Sequence, residues 1–183
     1  MKTDIRIRYT KEKIRKTFFQ LLNKKNFSDI TVTEICQIAE INRTTFYKHY
    51  LDINDLLEKI EHNILVHTKD QCKYLCPQNT ITGLETILSG LEQDQYQDIS
   101  SIFKADPLFS FKISEFICQY TVPNYTNTSY TAEEQSLIQR IMIYGYGSVT
   151  RNWLLSPKNN KMTAHELATF LFQLTEIITS SPN

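Results

Sequence analysis

Apolar residues recur at helical spacing through most of the chain, and polar breaks divide that pattern into separate helices. Ile14, Phe18, Leu21 and Leu22 share one face, which predicts a first helix from about Thr10, its cap, to Lys24. Asn26-Phe27-Ser28-Asp29 reads as a turn. Thr31 then opens a short helix. It stands at an N-cap with Glu34 three residues on, the capping-box spacing in which each side chain satisfies an orphan backbone donor. Val32, Ile35, Cys36 and Ala39 fall on one face of that helix. Glu40-Ile41 is the break, and Asn42 caps a second short helix from Arg43 to about His49, with Phe46 and Tyr50 as its apolar members. Leu51-Asp52 links to a longer helix from about Asn54, carrying Leu56, Leu57, Ile60, Ile64 and Leu65. That helix is expected to stop near Cys76-Pro77, because the residue before a proline avoids the α region.

The remainder is also helical in pattern. Ile81, Leu84, Ile87, Leu88 and Leu91 are in step between Asn79 and Leu91, and Gln93 to Phe103 begins a further helix. Asp106-Pro107 marks a corner, with Asp as cap and Pro at the first helical position. Leu108 to Tyr120 is an aromatic-rich helix, and Val122 to Thr131 is a polar loop. Thr131 to Glu134 opens a helix to about Leu155, with Ile138, Ile141, Met142, Gly145, Val149 and Trp153 on one side. Ser156 to Lys161 is a turn, and Thr163 to Glu166 opens a last helix carrying Leu167, Phe170, Leu171, Leu174, Ile177 and Ile178. The fold class read from this pattern is all-α.

Charge changes the picture more than composition does. The 183 residues have a formal net charge of zero, but residues 1–50 carry 11 Lys/Arg against 5 Asp/Glu, while residues 51–183 carry 9 against 15. A chain that is +6 in one part and −6 in the other suits a polyanion bound at one end. Lys2, Arg6 and Arg8 form a basic arm that is either disordered or reaches phosphates or a minor groove. The polar face of the second short helix is Arg43, Thr44, Thr45, Tyr47, Lys48 and His49. Each of these can donate a hydrogen bond, and no acid occurs from Arg43 to Leu51. An ordinary solvated helix face mixes acids with bases to gain i,i+4 pairs. Two capped short helices with a tight break and a donor-only second face match the helix-turn-helix unit, whose second helix lies in the major groove.

Other chemistries are poorly represented. No C-x2-C pair, H-E-x-x-H or Gly-rich phosphate loop occurs, so neither an enzyme, a metal site nor a cofactor is expected. Cys36, Cys72, Cys76 and Cys118 are scattered and read as small buried residues. Cys72 and Cys76 are four apart on one helix face, with His62 and His67 on the same helix, which leaves a thiol or metal sensor as a competing reading. No stretch approaches the roughly 18 apolar residues of a membrane span. The start MKTDIRIRYTKEK lacks the apolar segment of a signal peptide, so a cytoplasmic protein is expected.

Residues 10–65 resemble the DNA-binding domain of the TetR family of bacterial transcriptional regulators, through TVTEIC, AEINRTTFYKHY and DINDLLEKIE. The resemblance implies a helix-turn-helix domain over residues 1–53, closed by the start of helix four, and a helical effector-binding and dimerisation domain over residues 54–183. It implies that Thr31 and Thr33 meet the phosphate backbone, that Arg43, Thr44 and Thr45 read bases, and that Tyr47, Lys48 and His49 touch phosphates and flanking bases. Two positions depart from the family pattern. Glu40 stands where Gly is usual; a left-handed non-Gly there costs about 1–2 kcal/mol. Ile53 stands where the family often has a Lys that donates to a phosphate.

The last two helices could be core in a monomer or half of a four-helix bundle made by two chains. The resemblance implies the second. A homodimer face is then expected from Ile138, Ile141, Met142, Gly145, Val149, Trp153, Phe170, Leu171, Leu174 and Ile178, with Gly145 at a close helix crossing. The resemblance also implies an effector pocket in the middle helices, for which Tyr96, Phe103, Phe109, Phe116 and Tyr120 are candidates; the same aromatic stripe also suits plain core. The expected function is a TetR-like repressor that binds a near-palindromic double-stranded DNA operator as a dimer and answers to a small-molecule or protein effector. The competing class is a helical adaptor or coactivator whose basic face serves an acidic protein partner.

Overall fold

In the computed structural model, which describes residues 2–72, 80–92, 99–121, 130–157, 159 and 161–179, the first helix (α1) spans Lys2–Leu22. The basic arm is therefore helical and continuous with α1. Thr10 does not cap: its hydroxyl donates to the Arg6 carbonyl at 2.9 Å, one turn back. A threonine hydroxyl is satisfied equally well in either arrangement, which is why the cap reading failed. A 3-10 turn at Phe27–Asp29 leads into α2 (Val32–Ile38), α3 (Arg43–Tyr47) and α4 (Ile53–Cys72). Then follow α5 (Thr80–Glu92), α6 (Ile99–Ala105), α7 (Phe109–Thr121), α8 (Ala132–Leu155) and α9 (Ala164–Thr179). Every regular element among the described residues is helical. Residues 122–129 of the expected loop, residues 93–98 of the segment expected from Gln93, and Cys76-Pro77 lie outside those residues.

Two compact units divide the chain, Met1–His62 and Asn63–Asn183, and the division falls inside α4. In the first unit the stripe read from α1 is the core: Ile14, Phe18 and Leu21 are buried with Ile35, Phe46 and Leu56. Phe18 and Phe27 meet with their rings nearly perpendicular, centres 6.2 Å apart. Truncating a ring buried this completely costs about 3–5 kcal/mol.

In the second unit α5 packs on α9 and α7 on α8, with α6 against α7 and α8. Leu88, Trp153, Leu167 and Leu171 form one core cluster, in which Ala164 and Ala168 keep one side of α9 low. Polar groups close the same region. The Trp153 indole N–H donates to the Met162 carbonyl at 2.6 Å, and Lys161 Nζ lies 4.3 Å from the Trp153 ring centre. Lys161 also reaches Glu92 at 2.7 Å, tying the α8–α9 turn to the end of α5. The Tyr146 hydroxyl joins α8 to α9 through Thr175 and the Leu171 carbonyl.

The caps of α8 and α9 behave as their sequences predict. Thr131 and Glu134 form a reciprocal capping box on α8. Thr163 and Glu166 do the same on α9, with the Thr163 N–H donating to Glu166 at 2.7 Å and the Glu166 N–H to Thr163 Oγ1 at 3.2 Å. The Asp106-Pro107 corner is present, but α7 starts at Phe109: Asp106 accepts from the Leu108 N–H at 2.9 Å in a turn of its own. Among the described residues no helix is long and apolar enough to cross a membrane.

Candidate nucleic-acid interface

The capping box expected at Thr31 is half made. Thr31 Oγ1 accepts from the Glu34 N–H at 3.3 Å, but the Glu34 carboxylate turns to Lys25, which also donates to the Asp29 carbonyl at 2.7 Å. Lys25 thus ties the end of α1 and the 3-10 turn to the first turn of α2. At its other end α2 closes through two backbone bonds, Ile41 N–H to the Cys36 carbonyl at 3.0 Å and Glu40 N–H to the Gln37 carbonyl at 3.3 Å. These are the paired bonds of a Schellman ending, which places one residue in the left-handed region. That residue is Glu40, at φ 54°. A side chain there clashes with its own backbone, at a cost of about 1–2 kcal/mol. Its carboxylate is held by Lys13 of α1 at 3.4 Å.

Asn42 caps α3 as expected, accepting from the Thr45 N–H at 2.6 Å and from the Thr45 hydroxyl at 2.8 Å. The helix is shorter than read: it ends at Tyr47, while the N–H groups of His49 and Tyr50 both return to the Phe46 carbonyl. So short a helix has almost no stability of its own. Phe46, fully buried and in ring contact with Tyr50 at 5.5 Å, anchors it. The opposite face carries Arg43, Thr44, Tyr47 and Lys48 exposed, and Thr45 and His49 half-buried. Arg43 donates to Thr33 Oγ1 at 2.7 Å, so the structure joins the candidates of α2 and α3. Thr31 and Thr33 occupy the first turn of α2, Thr31 exposed and Thr33 half-buried.

The start of α4 closes this edge. Asp52, read as a link, is its cap: it accepts from the Asp55 N–H at 2.8 Å, while Asp55 accepts from the Leu51 N–H at 2.8 Å. Lys59 donates to Asp55 at 2.8 Å and to the His49 carbonyl at 3.0 Å. The Lys59 ammonium and the Leu51 N–H hold the Asp55 carboxyl below its ordinary pKa. His49 is pushed the opposite way from a phosphate-bound imidazolium: partial burial and the charges of Lys11, Lys48 and Lys59 lower its pKa and so favour the neutral ring. Lys59 was missed as part of this site, although the i,i+4 spacing from Asp55 was visible.

The other candidates separate by burial. Phe103 and Phe109 are completely buried against each other, ring centres 6.2 Å apart, and Phe116 is half-buried. Tyr96 and the side chain of Tyr120 lie outside the described residues, as do Cys76 and the side chain of Cys72. Cys36 and Cys118 are buried, and burial beside Glu115 pushes the Cys118 thiol up to about 12, which removes its reactivity. His62 and His67 are exposed. No three His, Cys, Asp or Glu among the described residues are grouped to hold a metal.

Of the residues named for a dimer face, Met142, Trp153 and Leu171 are buried inside the chain itself. Ile138, Leu174 and Ile178 are half-buried, whereas Ile141, Gly145, Val149 and Phe170 face outward. Leu137, Tyr144 and Ile177, unnamed in the sequence reading of this face, are exposed beside them. The two glycines of α8 divide the same way. A Cβ on Gly145 would meet nothing within 4 Å among the described residues, whereas one on Gly147 would sit 2.7 Å from Phe111 and 3.1 Å from the Ser110 carbonyl. The close crossing within the chain is therefore made by Gly147 against α7.

Comparison with solved structures returns the same architecture. The chain is similar to a TetR transcriptional regulator from Streptococcus agalactiae 2603V, with a TM-score of 0.70 and 23% identity over 96% of this chain and 98% of that one. It is also similar to the dihydroxyacetone kinase operon activator DhaS, with a TM-score of 0.64 and 23% identity over 92% of this chain and 94% of that one. No family model and no curated protein matches the sequence. The chain thus has the fold of a TetR transcriptional regulator over nearly its whole length.

Proposed function

We propose that this chain is a TetR-like, non-enzymatic, cytoplasmic transcriptional regulator that binds a near-palindromic operator as a homodimer. The carrying observation is the acid-free donor face of Arg43, Thr44, Tyr47 and Lys48, on a short helix anchored by Phe46 and capped by Asn42, within this fold. Residues 1–53 serve as the DNA-binding part and residues 54–183 as the effector and dimer part. Arg43, Thr44 and Thr45 read bases; Thr31, Thr33, Tyr47, Lys48 and His49 meet phosphates and flanking bases.

Dimerisation follows from the reach of one such helix. It touches only a few base pairs, each good bidentate contact discriminating by about 1–3 kcal/mol, and a two-fold pair doubles the reading. The outward stripe of Leu137, Ile141, Tyr144, Val149, Phe170 and Ile177 supports that pairing, with Gly145 allowing the close approach. An effector acts from the second unit by shifting the population of spacings between the recognition helices. Thr68 Oγ1 and Arg151 Nε, buried there without a hydrogen-bond partner among the described residues, are polar groups that a ligand or ordered water would satisfy.

Repression is the sign proposed. Activation is the second reading, favoured by a structural neighbour described as an operon activator. The test is a titration against duplexes from upstream of the gene and its neighbours, with shuffled duplex as control, at two salt concentrations. Tight binding to one near-palindrome by two chains, weakening steeply with salt, is expected. Equal, weak binding to all duplexes would overturn an operator beside the gene itself, in favour of an operator elsewhere in the genome or an acidic protein partner. A promoter-reporter assay with and without the protein gives the sign.

A further inference from the structure

Helix α3 is too short to hold its own attitude. It runs for 5 residues, Arg43 to Tyr47, and a helix of that length has almost no stability alone. Its start is fixed by Asn42, and the turn before it by the Lys13–Glu40 pair from α1. Phe46 pins its middle. Its far end is fixed from a different helix. Past Tyr47 the backbone closes in a tight turn, with the N–H groups of His49 and Tyr50 both returning to the Phe46 carbonyl. Lys59, on α4, reaches across to this turn and donates to the His49 carbonyl at 3.0 Å.

Lys59 is itself held in place. Asp55, one turn earlier on α4, accepts from it at 2.8 Å, and the same carboxylate oxygen accepts from the Leu51 N–H at 2.8 Å. An acid four residues before a lysine is the favourable order on a helix. The Lys59 ammonium also lies 5.4 Å from the centre of the Tyr50 ring, which packs on Phe46. The contacts close on themselves, from the His49 carbonyl through Lys59 and Asp55 to the Leu51 N–H. Each hydrogen bond in this loop has a charged group on at least one side, which makes it stronger than a neutral one. Two α4 side chains thus fasten the backbone that leaves α3 to the start of α4. Lys59 works inward, toward protein acceptors, although half of its side chain is exposed.

We propose that Lys59 is a positioning residue for sequence reading: through the His49 carbonyl and Asp55 it sets the angle at which α3 presents Arg43, Thr44 and Thr45 to the bases. This inference rests on the reading that the chain recognises a DNA sequence. Base contacts need their donors aligned with the base edges, whereas attraction to phosphates follows charge and tolerates a shifted helix. Loss of this strut therefore has its own signature. Sequence preference falls, while the salt-dependent, charge-driven part of binding stays.

The experiment compares full-length wild type, Lys59→Met, Lys59→Arg and Asp55→Asn, with circular dichroism to show which are folded. Affinities are measured across a salt series for the duplex that wild type enriches most from a random-sequence pool and for a shuffled duplex. Lys59→Met keeps the stem and loses both bonds. It should cut the ratio of the two affinities by about tenfold or more, with the salt slope on shuffled duplex unchanged. Lys59→Arg, which can donate to both acceptors, should restore most of the ratio. Asp55→Asn keeps an acceptor for the Leu51 N–H but loosens Lys59, and should lower the ratio by less. A Lys59→Met ratio equal to wild type would overturn the inference. So would equal weakening on both duplexes with a salt slope flatter by about two for a dimer, the mark of a phosphate contact. If Lys59→Met does not fold, Asp55→Asn decides, and a ratio equal to wild type overturns the inference. A wild type that enriches no sequence would overturn the operator reading and the inference with it.

Discussion

The guanidinium of Arg43 donates to the hydroxyl of Thr33 at 2.7 Å, so a proposed base reader and a proposed phosphate contact are linked before any DNA arrives. The link restrains a long side chain that would otherwise lose rotamer freedom on binding. Arg43→Ala should therefore narrow the gap between operator and shuffled DNA by about 1–3 kcal/mol. Lys48→Ala, which removes an exposed cation from the same surface, should weaken both duplexes alike. Parallel titrations of the two variants on the two duplexes check this.

Glu40 occupies a left-handed backbone position at φ 54°. Glycine would relieve the steric cost there, while losing only an exposed ion pair with Lys13 and gaining some freedom in the unfolded chain. Glu40→Gly should raise stability by about 0.5–1 kcal/mol, read from the urea midpoint. A lower midpoint would mean that the Lys13 pair outweighs the strain.

The two glycines of α8 should respond oppositely. Gly147→Ala forces a methyl into Phe111 and the Ser110 carbonyl and should cost about 1–3 kcal/mol in thermal or urea denaturation. At Gly145 an added Cβ has nothing within 4 Å among the described residues, so Gly145→Arg should leave helicity intact. In the proposed dimer it obstructs the helix crossing, so sedimentation should show a folded monomer with much weaker operator binding.

Three carboxylates give the fold an acid limit. Glu134 and Glu166 are held below an ordinary value of 4.5 by the backbone N–H and hydroxyl of their cap threonines, and Asp55 below 3.8 by Lys59 and the Leu51 N–H. Each pKa is lower folded than unfolded. Their stabilisation is therefore complete above the unfolded values and disappears as pH falls through the lowered ones. Urea midpoints measured from about pH 6 down to about pH 3 should fall below about pH 4.5. Glu166→Gln should show a shallower fall.

What the sequence made legible was mostly short-range. Asn42, Thr131 and Thr163 work as caps because the chemistry of a cap is contained in four consecutive residues. Phe46 and the α1 stripe were equally plain, since one apolar face of a helix can only turn inward. Glu34 was misjudged because its rival partner, Lys25, comes from another element. Helix α8 is apolar around much of its circumference. Periodicity alone therefore could not separate Met142 and Trp153, which face in, from Leu137 and Tyr144, which face out. The roles of Gly145 and Gly147 were unreadable for the same reason: two positions apart, they look toward different surroundings.

The seat of Gly147 has a mechanical consequence. At Gly147 the missing methyl group lets α8 come close against α7, with the Phe111 ring 2.7 Å and the Ser110 carbonyl 3.1 Å from where a Cβ would sit. Packed interiors of this kind are stiff and pass displacement on instead of absorbing it. A displacement of α7 at this seat would bear directly on α8, the helix that carries the outward residues Leu137, Ile141 and Tyr144. Substitutions that loosen this seat would leave the helices in place yet let the displacement dissipate between them.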